Sequence, residues 1–481
     1  MTPSTIFISF LIYTVLLLTI SWVTSRNAGS DAYFLGNRQS PWYVVAYGMI
    51  GASLSGVTFI SIPGDVGATQ FSYLVIVMGY LVGYFVIANV LLPLYYRMNL
   101  TSIYTYLEHR FGFWAYKSGA FYFLVSRFIG ASFRMFLVVN VLQVFVFSAW
   151  GIPFWFSVIF FMGLMILYTF RGGIKTIVWT DTLQTTFMLL TVVLSIFLIK
   201  DNLGFSLADF VDRVINSDYS RVFNTSITEK THFIKQFVSG AFIAIVMTGL
   251  DQDMMQKNLS CRTVGEAKKN MYWMSAALVP VNILILTLGA ALFLFANSKG
   301  IAIPERSDDL FPLIALRHLQ PVAGIVFMIG LISAAYSSAD SALTSLTTSV
   351  MVDFFNIRKR DDLTERQKTR KRYTVHFLVA ALIVVIIIVF RAINDESVIS
   401  RLFTIAGYTY GPLLGMFSFG IITRSKVRDK FIPLVVILSP VISYAISATS
   451  EQWLFGYKFG FELLLVNGAL TFAGMYLLRK T

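Results

Sequence analysis

Thirteen apolar runs, each about long enough to cross a bilayer, fill most of this chain and leave little room for any other architecture. A helix needs about 20 apolar residues to span roughly 30 Å of hydrocarbon. Such runs fall near 4–24, 43–68, 72–97, 117–149, 152–170, 180–200, 233–250, 271–296, 322–352, 374–393, 402–423, 431–448 and 458–478. Composition agrees. The 481 residues are 56% hydrophobic and only 13% charged, and mean hydropathy is +0.71, whereas soluble domains carry nearer a quarter charged residues. The expected fold class is an all-α membrane protein of about 13 transmembrane helices, forming one unit over 1–481. Very short joins predict tight hairpins between the second and third runs and between the fourth and fifth.

The net charge of +13 does not point to nucleic acid, because the basic residues punctuate apolar runs instead of gathering on one soluble surface. Alternating the loops across a membrane tests a topological reading instead. One side, with flanking Arg97 and Lys117, collects 25 of the 38 Lys and Arg; the other holds 11, and Arg127 and Arg134 lie inside the fourth run. This predicts an N-terminus outside and a cytoplasmic C-terminus in a bacterial inner (plasma) membrane. Much of the signal comes from Arg358-Lys359-Arg360, Arg366, Lys368 and Arg370-Lys371-Arg372, which read as a topology anchor with membrane lipid as partner. Residues 1–25 carry no side-chain charge and Arg26 follows the apolar stretch, the reverse of a secretory signal, so a retained helix is expected.

Several chemistries find no support. With Cys261 the sole cysteine, no intramolecular disulfide or cysteine metal cluster can form. His109, His232, His318 and His376 lack the i, i+4 pairing of a helix-borne metal site. Nucleophile elbows and phosphate loops are missing as well, so neither an enzyme nor an ATP-driven pump is expected.

Two runs look interrupted. The second reads Gly48-Met49-Ile50-Gly51-Ala52-Ser53-Leu54-Ser55-Gly56-Val57-Thr58, then Ile62-Pro63-Gly64. The seventh has only 15 uncharged residues between Lys235 and Asp251, too few for a comfortable straight crossing. Small residues also serve close helix packing, but two interruptions five runs apart are the pattern of transporters built on inverted repeats, whose sites lie at broken helices.

Ionisable groups inside such runs are costly and mark function. Asp340 lies in Ser333-Ala334-Ala335-Tyr336-Ser337-Ser338-Ala339-Asp340-Ser341. Helical spacing puts Ser337, Asp340 and Ser341 on one face, an oxygen-rich surface of the kind hard cations prefer; hydrogen bonding between helices is the plainer use of the serines. Asp181 follows Trp179-Thr180 at the mouth of the sixth run, as a site residue or a helix cap. Arg127 and Arg134 share a face two turns apart and need a buried acid or an anionic substrate.

With these residues in view, the chain resembles the sodium/solute symporters, the family that includes sodium-coupled glucose, proline, pantothenate, iodide and sialic acid carriers. The resemblance rests on Asp31-Ala32-Tyr33-Phe34-Leu35-Gly36, Thr101 through Tyr104, Tyr106-Leu107-Glu108, Arg110-Phe111-Gly112, Gly172-Gly173 through Asp181 and Gln184, Asp251-Gln252-Asp253 with Gln256-Lys257, the Ser337 segment, and Tyr408 through Gly415. It implies a leucine-transporter-type 5+5 inverted-repeat core. The first repeat would cover 43–200 and the second 233–423, with an extra N-terminal helix at 4–24 and two extra C-terminal helices within 431–478. It also implies sodium as a transported ion, not a fixed cofactor, held by the carbonyls of Gly51, Leu54 and Ala334 and the hydroxyls of Ser337 and Ser338. A second cation site would involve Asp181, Asp340 and Ser341, and substrate would lie at Ser55, Thr58 and Phe59 with Arg127 and Arg134.

The run Leu54 to Pro63 looks most like the sialic acid branch, which uses an arginine on the fourth run; here Gly130 stands at that place, between Arg127 and Arg134. A glutamine expected in the third run is replaced by Gly79, and Gly56-Val57-Thr58 lacks the Glu-Gln pair of sugar carriers. The implied function is sodium-coupled uptake of a small organic solute, such as a sialic acid or a monocarboxylate. Sugar or amino acid carriage is the alternative, and a transporter-like sensor is a different class, though only Arg479-Lys480-Thr481 follows the last run. A single copy would suffice for such a carrier.

Overall fold

The computed structural model describes residues 2–24, 38–169, 173–357, 360, 362–393 and 398–480. Arg26, the Asp31 to Gly36 motif, Arg171-Gly172 and Arg358-Lys359 lie outside the described residues. The helices used below are α1 (Pro3–Thr24), α2 (Trp42–Thr69), α3 (Tyr73–Val86), α4 (Phe113–Phe145), α5 (Phe154–Thr169), α6 (Gly173–Asn202), α7 (Phe233–Ala244), α8 (Gln252–Asn258), α9 (Val264–Lys299), α10 (Pro321–Ser349), α11 (Glu365–Ile393), α12 (Val398–Ile422), α13 (Ile432–Trp453) and α14 (Leu463–Leu477). No β-strand occurs among the described residues. Nine helical stretches there are long and apolar enough to cross a membrane, or ten if the bent pair Phe233–Gly249 and Gln252–Asn258 counts as one. Of these, Trp42–Arg97 turns at Gln70, where φ is 56°, while Phe154–Leu167 and Leu463–Leu477 are shorter apolar helices.

Helix α10 forms the axis, with every residue from Gly330 to Ser349 buried. Helices α2, α4 and α6 pack around it. From outside, α1 is pinned to it by Ser333 Oγ donating to Tyr13 Oη at 2.6 Å and Tyr336 Oη donating to Thr14 Oγ1 at 3.2 Å. Helices α3 and α7 meet with almost no separation: a Cβ added at Gly79 would lie 2.1 Å from the Phe237 carbonyl oxygen, and one at Gly240 2.1 Å from that of Ile76. Small residues let membrane helices approach this closely, so the side chain missing at Gly79 is the condition of the packing.

Both expected interruptions are present. In α2, Ser55 adopts φ 37° and ψ 172° in mid-helix. After Gly249 the chain bends by 71° into α8. Hydrocarbon supplies no hydrogen bonds, so backbone groups released at a break must find partners inside the protein. At the second break tyrosines provide them: Tyr95 Oη donates to Gly249 O and Tyr104 Oη to Leu250 O, each at 2.9 Å.

Helix α8 is thereby a plug, buried along its whole length. Gln252 donates to Thr101 O at 2.7 Å and accepts from Ile103 N at 2.9 Å, clamping the loop before Thr105. Tyr410 Oη donates to Asp251 Oδ2 at 2.6 Å. Arg127 of α4 forms an ion pair with Asp253, and Lys257 Nζ lies 2.6 Å from Asp181 Oδ2 of α6. The Thr101 end of the bundle is closed by these contacts. At the opposite, Gln70 end, Ser307 Oγ donates to Asp65 Oδ1 at 2.7 Å and Asp308 Oδ2 accepts from Val398 N at 3.1 Å. Burial pushes the Asp308 carboxyl up to about 6, so it is anionic at neutral pH and suits the N-terminus of α12.

Removing one partner of a buried ion pair strands the other charge at a cost of about 3–5 kcal/mol, whereas replacing both with apolar groups is often near neutral. Asp253→Ala should therefore lower the Tm in detergent markedly, and the pair Arg127→Met with Asp253→Leu should recover most of that loss. Equal losses in the single and double variants would mean that the Arg127–Asp253 pair does not carry this end of the fold.

Candidate functional site

The site begins with the break at Ser55. In a regular helix the carbonyls of residues 51–54 would accept from the N–H groups of 55–58, and the non-helical backbone at Ser55 interrupts that ladder where Gly51 and Leu54 sit. Helix α6 lies directly against this turn. A Cβ at Gly51 would fall 2.1 Å from Thr185 Oγ1, and one at Gly48 2.9 Å from Asp181 Cβ. Thr185 Oγ1 donates to Asp181 O at 2.7 Å and lies 3.4 Å from Gly48 O. The small residues that looked like packing spacers are what bring α2 onto α6.

Helix α10 closes the third side. Ser337 Oγ donates to Asp181 Oδ1 at 2.8 Å, and Ser338 Oγ donates to Ala334 O at 3.2 Å. Asp181 thus receives Lys257 on one oxygen and Ser337 on the other, with Lys257, Asp181 and Ser337 each no more than 1% exposed. The structure gathers Gly51, Asp181 and Ser337 at one junction of α2, α6 and α10. A hydroxyl that has donated its proton to a carboxylate presents oxygen lone pairs on its other side, which suits Ser337 to a cation. Asp340 and Ser341 are fully buried one turn further along α10; the Ser341 hydroxyl has no hydrogen-bond partner among the described residues.

On the other side of the Ser55 break is a cavity of about 80 Å³ lined by Ser55, Thr58, Arg127, Arg134, Tyr73, Tyr80, Tyr84, Thr248 and Asn282 among others. It adjoins a larger chamber of about 290 Å³ at the Gln70 end, and Tyr73, Ile399 and Phe403 line both. The chamber thus lies on the Gln70 side of the cavity, while α8 closes the Thr101 end.

The two arginines differ. Arg127 is 5% exposed and committed to Asp253. Arg134 is less buried, forms no carboxylate ion pair among the described residues, and has a buried Nε with no hydrogen-bond partner there. One turn before it, Gly130 lines a separate small recess together with Arg127 and Arg134, and a Cβ there would meet only Leu402 Cδ1 at 3.5 Å. Phe59 takes no part in lining the cavity. One residue beyond Thr58 it has turned away on the helix, and it packs against Phe311 and Phe327 with ring centroids 5.4 and 6.0 Å away.

Other cavity residues escaped the sequence reading. Tyr73, Tyr80 and Tyr84 share one face of α3, with Tyr73 and Tyr80 hydroxyls 3.1 Å apart; their spacing of seven and then four residues was the available signal. Lys257 stood among the family-like residues without a partner, because nothing local connects it with a residue 76 positions away.

The family model described as the sodium:solute symporter family matches residues 33–427. The sodium/sialic acid symporter NanT of Aliivibrio fischeri is 25% identical over 461 residues, covering 93% of this chain and 88% of its own. Sodium-coupled monocarboxylate transporter 2 of Danio rerio is 26% identical over 83% of this chain and 64% of its own. Among solved structures, a substrate-bound, outward-open sodium-coupled sialic acid symporter with a novel sodium site superimposes with a TM-score of 0.84 at 18% identity, over 99% of this chain and 98% of that one. The chain belongs to the sodium:solute symporter family and is a sodium-coupled solute symporter.

Proposed function

We propose that this symporter carries a small organic anion inward, using a sodium ion held between the Ser55 break of α2 and the hydroxyls of α10. The ligands would be the carbonyls of Gly51, Leu54 and Ala334 with the hydroxyls of Ser337 and Ser338. The carrying observation is that Ser337 and Ser338 sit on α10 where it packs with α2 and α6, with the Ser337 proton turned toward Asp181. Sodium would tie α2 to α10, favour the arrangement open at the Gln70 end, and set the cavity for solute, a coupling that must be reciprocal. Thirteen crossings in a bacterial inner membrane, with the Gln70 end outside and repeats over 43–200 and 233–423, complete the reading.

Arg134 supports an anionic solute. A guanidinium beside a cavity, without a carboxylate partner among the described residues, suits a carboxylate, since charge-assisted bidentate pairs are the strong ones. The relatives named for sialic acid and for monocarboxylates both handle acids, in line with this class. Ser55, Thr58, Tyr80 and Asn282 would supply neutral hydrogen bonds around it. Arg127, held by Asp253, would act on the solute only through the position of α4.

Two experiments test the reading. Replacing Ser337 and Ser338 together with alanine should raise the sodium concentration for half-maximal uptake in proteoliposomes more than tenfold, and unchanged sodium dependence would remove these ligands from the account. For the solute, Arg134→Met should weaken a sialic acid or a short monocarboxylate by about 1.5–3 kcal/mol, the worth of a hydrogen bond to a charged group, while affecting the corresponding amide far less. Equal losses for acid and amide would make Arg134 structural.

A further inference from the structure

We propose that the ammonium of Lys257 is a built-in cation that occupies the place beside Asp181 where a second transported sodium ion would bind, so that one sodium ion accompanies each solute. This deepens the sodium reading above and rests on it. The family resemblance implies Asp181, Asp340 and Ser341 as a second cation region, and two bare carboxylates there would need either a proton on one of them or a positive charge near them. The structure supplies one from the protein itself: Lys257 Nζ is 2.6 Å from Asp181 Oδ2, with both side chains 1% exposed.

Three features separate this from an ordinary buried ion pair. Both Asp181 oxygens are engaged, one by Lys257 and the other by Ser337 Oγ. A sodium ion there would have to displace the lysine or share its space, and two positive charges in contact inside a poorly polarisable interior repel strongly. Secondly, the relay runs into the proposed first sodium site: Lys257 balances Asp181, and Asp181 accepts the Ser337 proton and thereby turns the Ser337 lone pairs away from itself. The tethered charge prepares one ion site while filling another. Thirdly, Lys257 belongs to the plug α8, whereas Asp181 and Ser337 belong to α6 and α10. The ammonium can reach Asp181 only while the plug is seated, so it must leave when the Thr101 end opens. It would alternate between bound and withdrawn as a transported ion does, without crossing the membrane.

The coupling ratio tests this, because a merely structural lysine would not set it. Proteoliposomes loaded with a sialic acid or a short monocarboxylate give the sodium-to-solute ratio from the membrane potential at which net flux vanishes. The wild type should show a ratio of one and a hyperbolic sodium dependence. Lys257→Gln should free the carboxylate for a sodium ion, giving a sigmoidal dependence and a ratio of two. Lys257→Arg, which keeps the charge, should stay at one. Should Lys257→Gln fail to transport, radioactive sodium binding to the purified protein in detergent reads the same quantity: one ion for wild type and two for Lys257→Gln. The double variant Asp181→Asn, Lys257→Gln should return to one. A wild-type ratio of two, or an unchanged ion count in Lys257→Gln, overturns the proposal. A wild type indifferent to sodium would instead sink the reading beneath it.

Discussion

Inside hydrocarbon a polypeptide can leave the helix only where something else takes up the backbone groups it frees, and the rest of this molecule follows from how that demand is met at two places. At Gly249 and Leu250 the protein meets it permanently, with the hydroxyls of Tyr95 and Tyr104. At Ser55 the released turn meets α6 across glycines too small to keep them apart and packs beside α10, and the oxygens gathered there suit a cation better than another peptide. One break is thus sealed by side chains, and the other is where the proposed sodium ion would sit. The cavity lies against the second, so an ion held there and a solute in the cavity would sense each other.

Charge is buried in pairs around these breaks, at a desolvation cost that such pairs seldom repay in stability. Arg127–Asp253 and Lys257–Asp181 both fasten the plug α8 to helices that do not belong to it. Their value lies in specificity: each can be satisfied in one seating of the plug only. Such pairs would make unseating the plug an all-or-none event at the Thr101 end, the kind of bistable element that alternating access needs. Arg134 stands apart, two turns along the same helix from Arg127 and without a carboxylate partner among the described residues.

Much of this was legible in the sequence because it is local. Apolar runs declare helices, the Gly48 to Thr58 segment declares a break, and Ser337 with Ser338 on a helix near a buried acid declares an oxygen-rich face. Contacts between distant segments were not legible. Lys257 and Asp181 lie 76 residues apart and Arg127 and Asp253 126, so no periodicity links them. The family-like Asp251 to Lys257 segment could be noticed as a motif but not understood as a plug until Thr101, Tyr104 and Tyr410 were found wrapped around it. Phe59 parts from Thr58 for a geometric reason: adjacent helical residues point about 100° apart, and the cavity takes Thr58 while its neighbour joins Phe311 and Phe327. Gly79 likewise looked like a lost binding residue, and it is where α3 and α7 touch.

The central claim is that a sodium ion at the α2–α10 junction holds the Thr101 end shut, and amide hydrogen exchange reads that directly. In the purified protein, peptides covering Gly249–Asn258 and Thr101–Tyr104 should become more protected as sodium replaces potassium at constant ionic strength, while peptides around Tyr73 and Phe403 should become less so. Protection at the plug that is the same in both ions, or lower in sodium, would contradict the account.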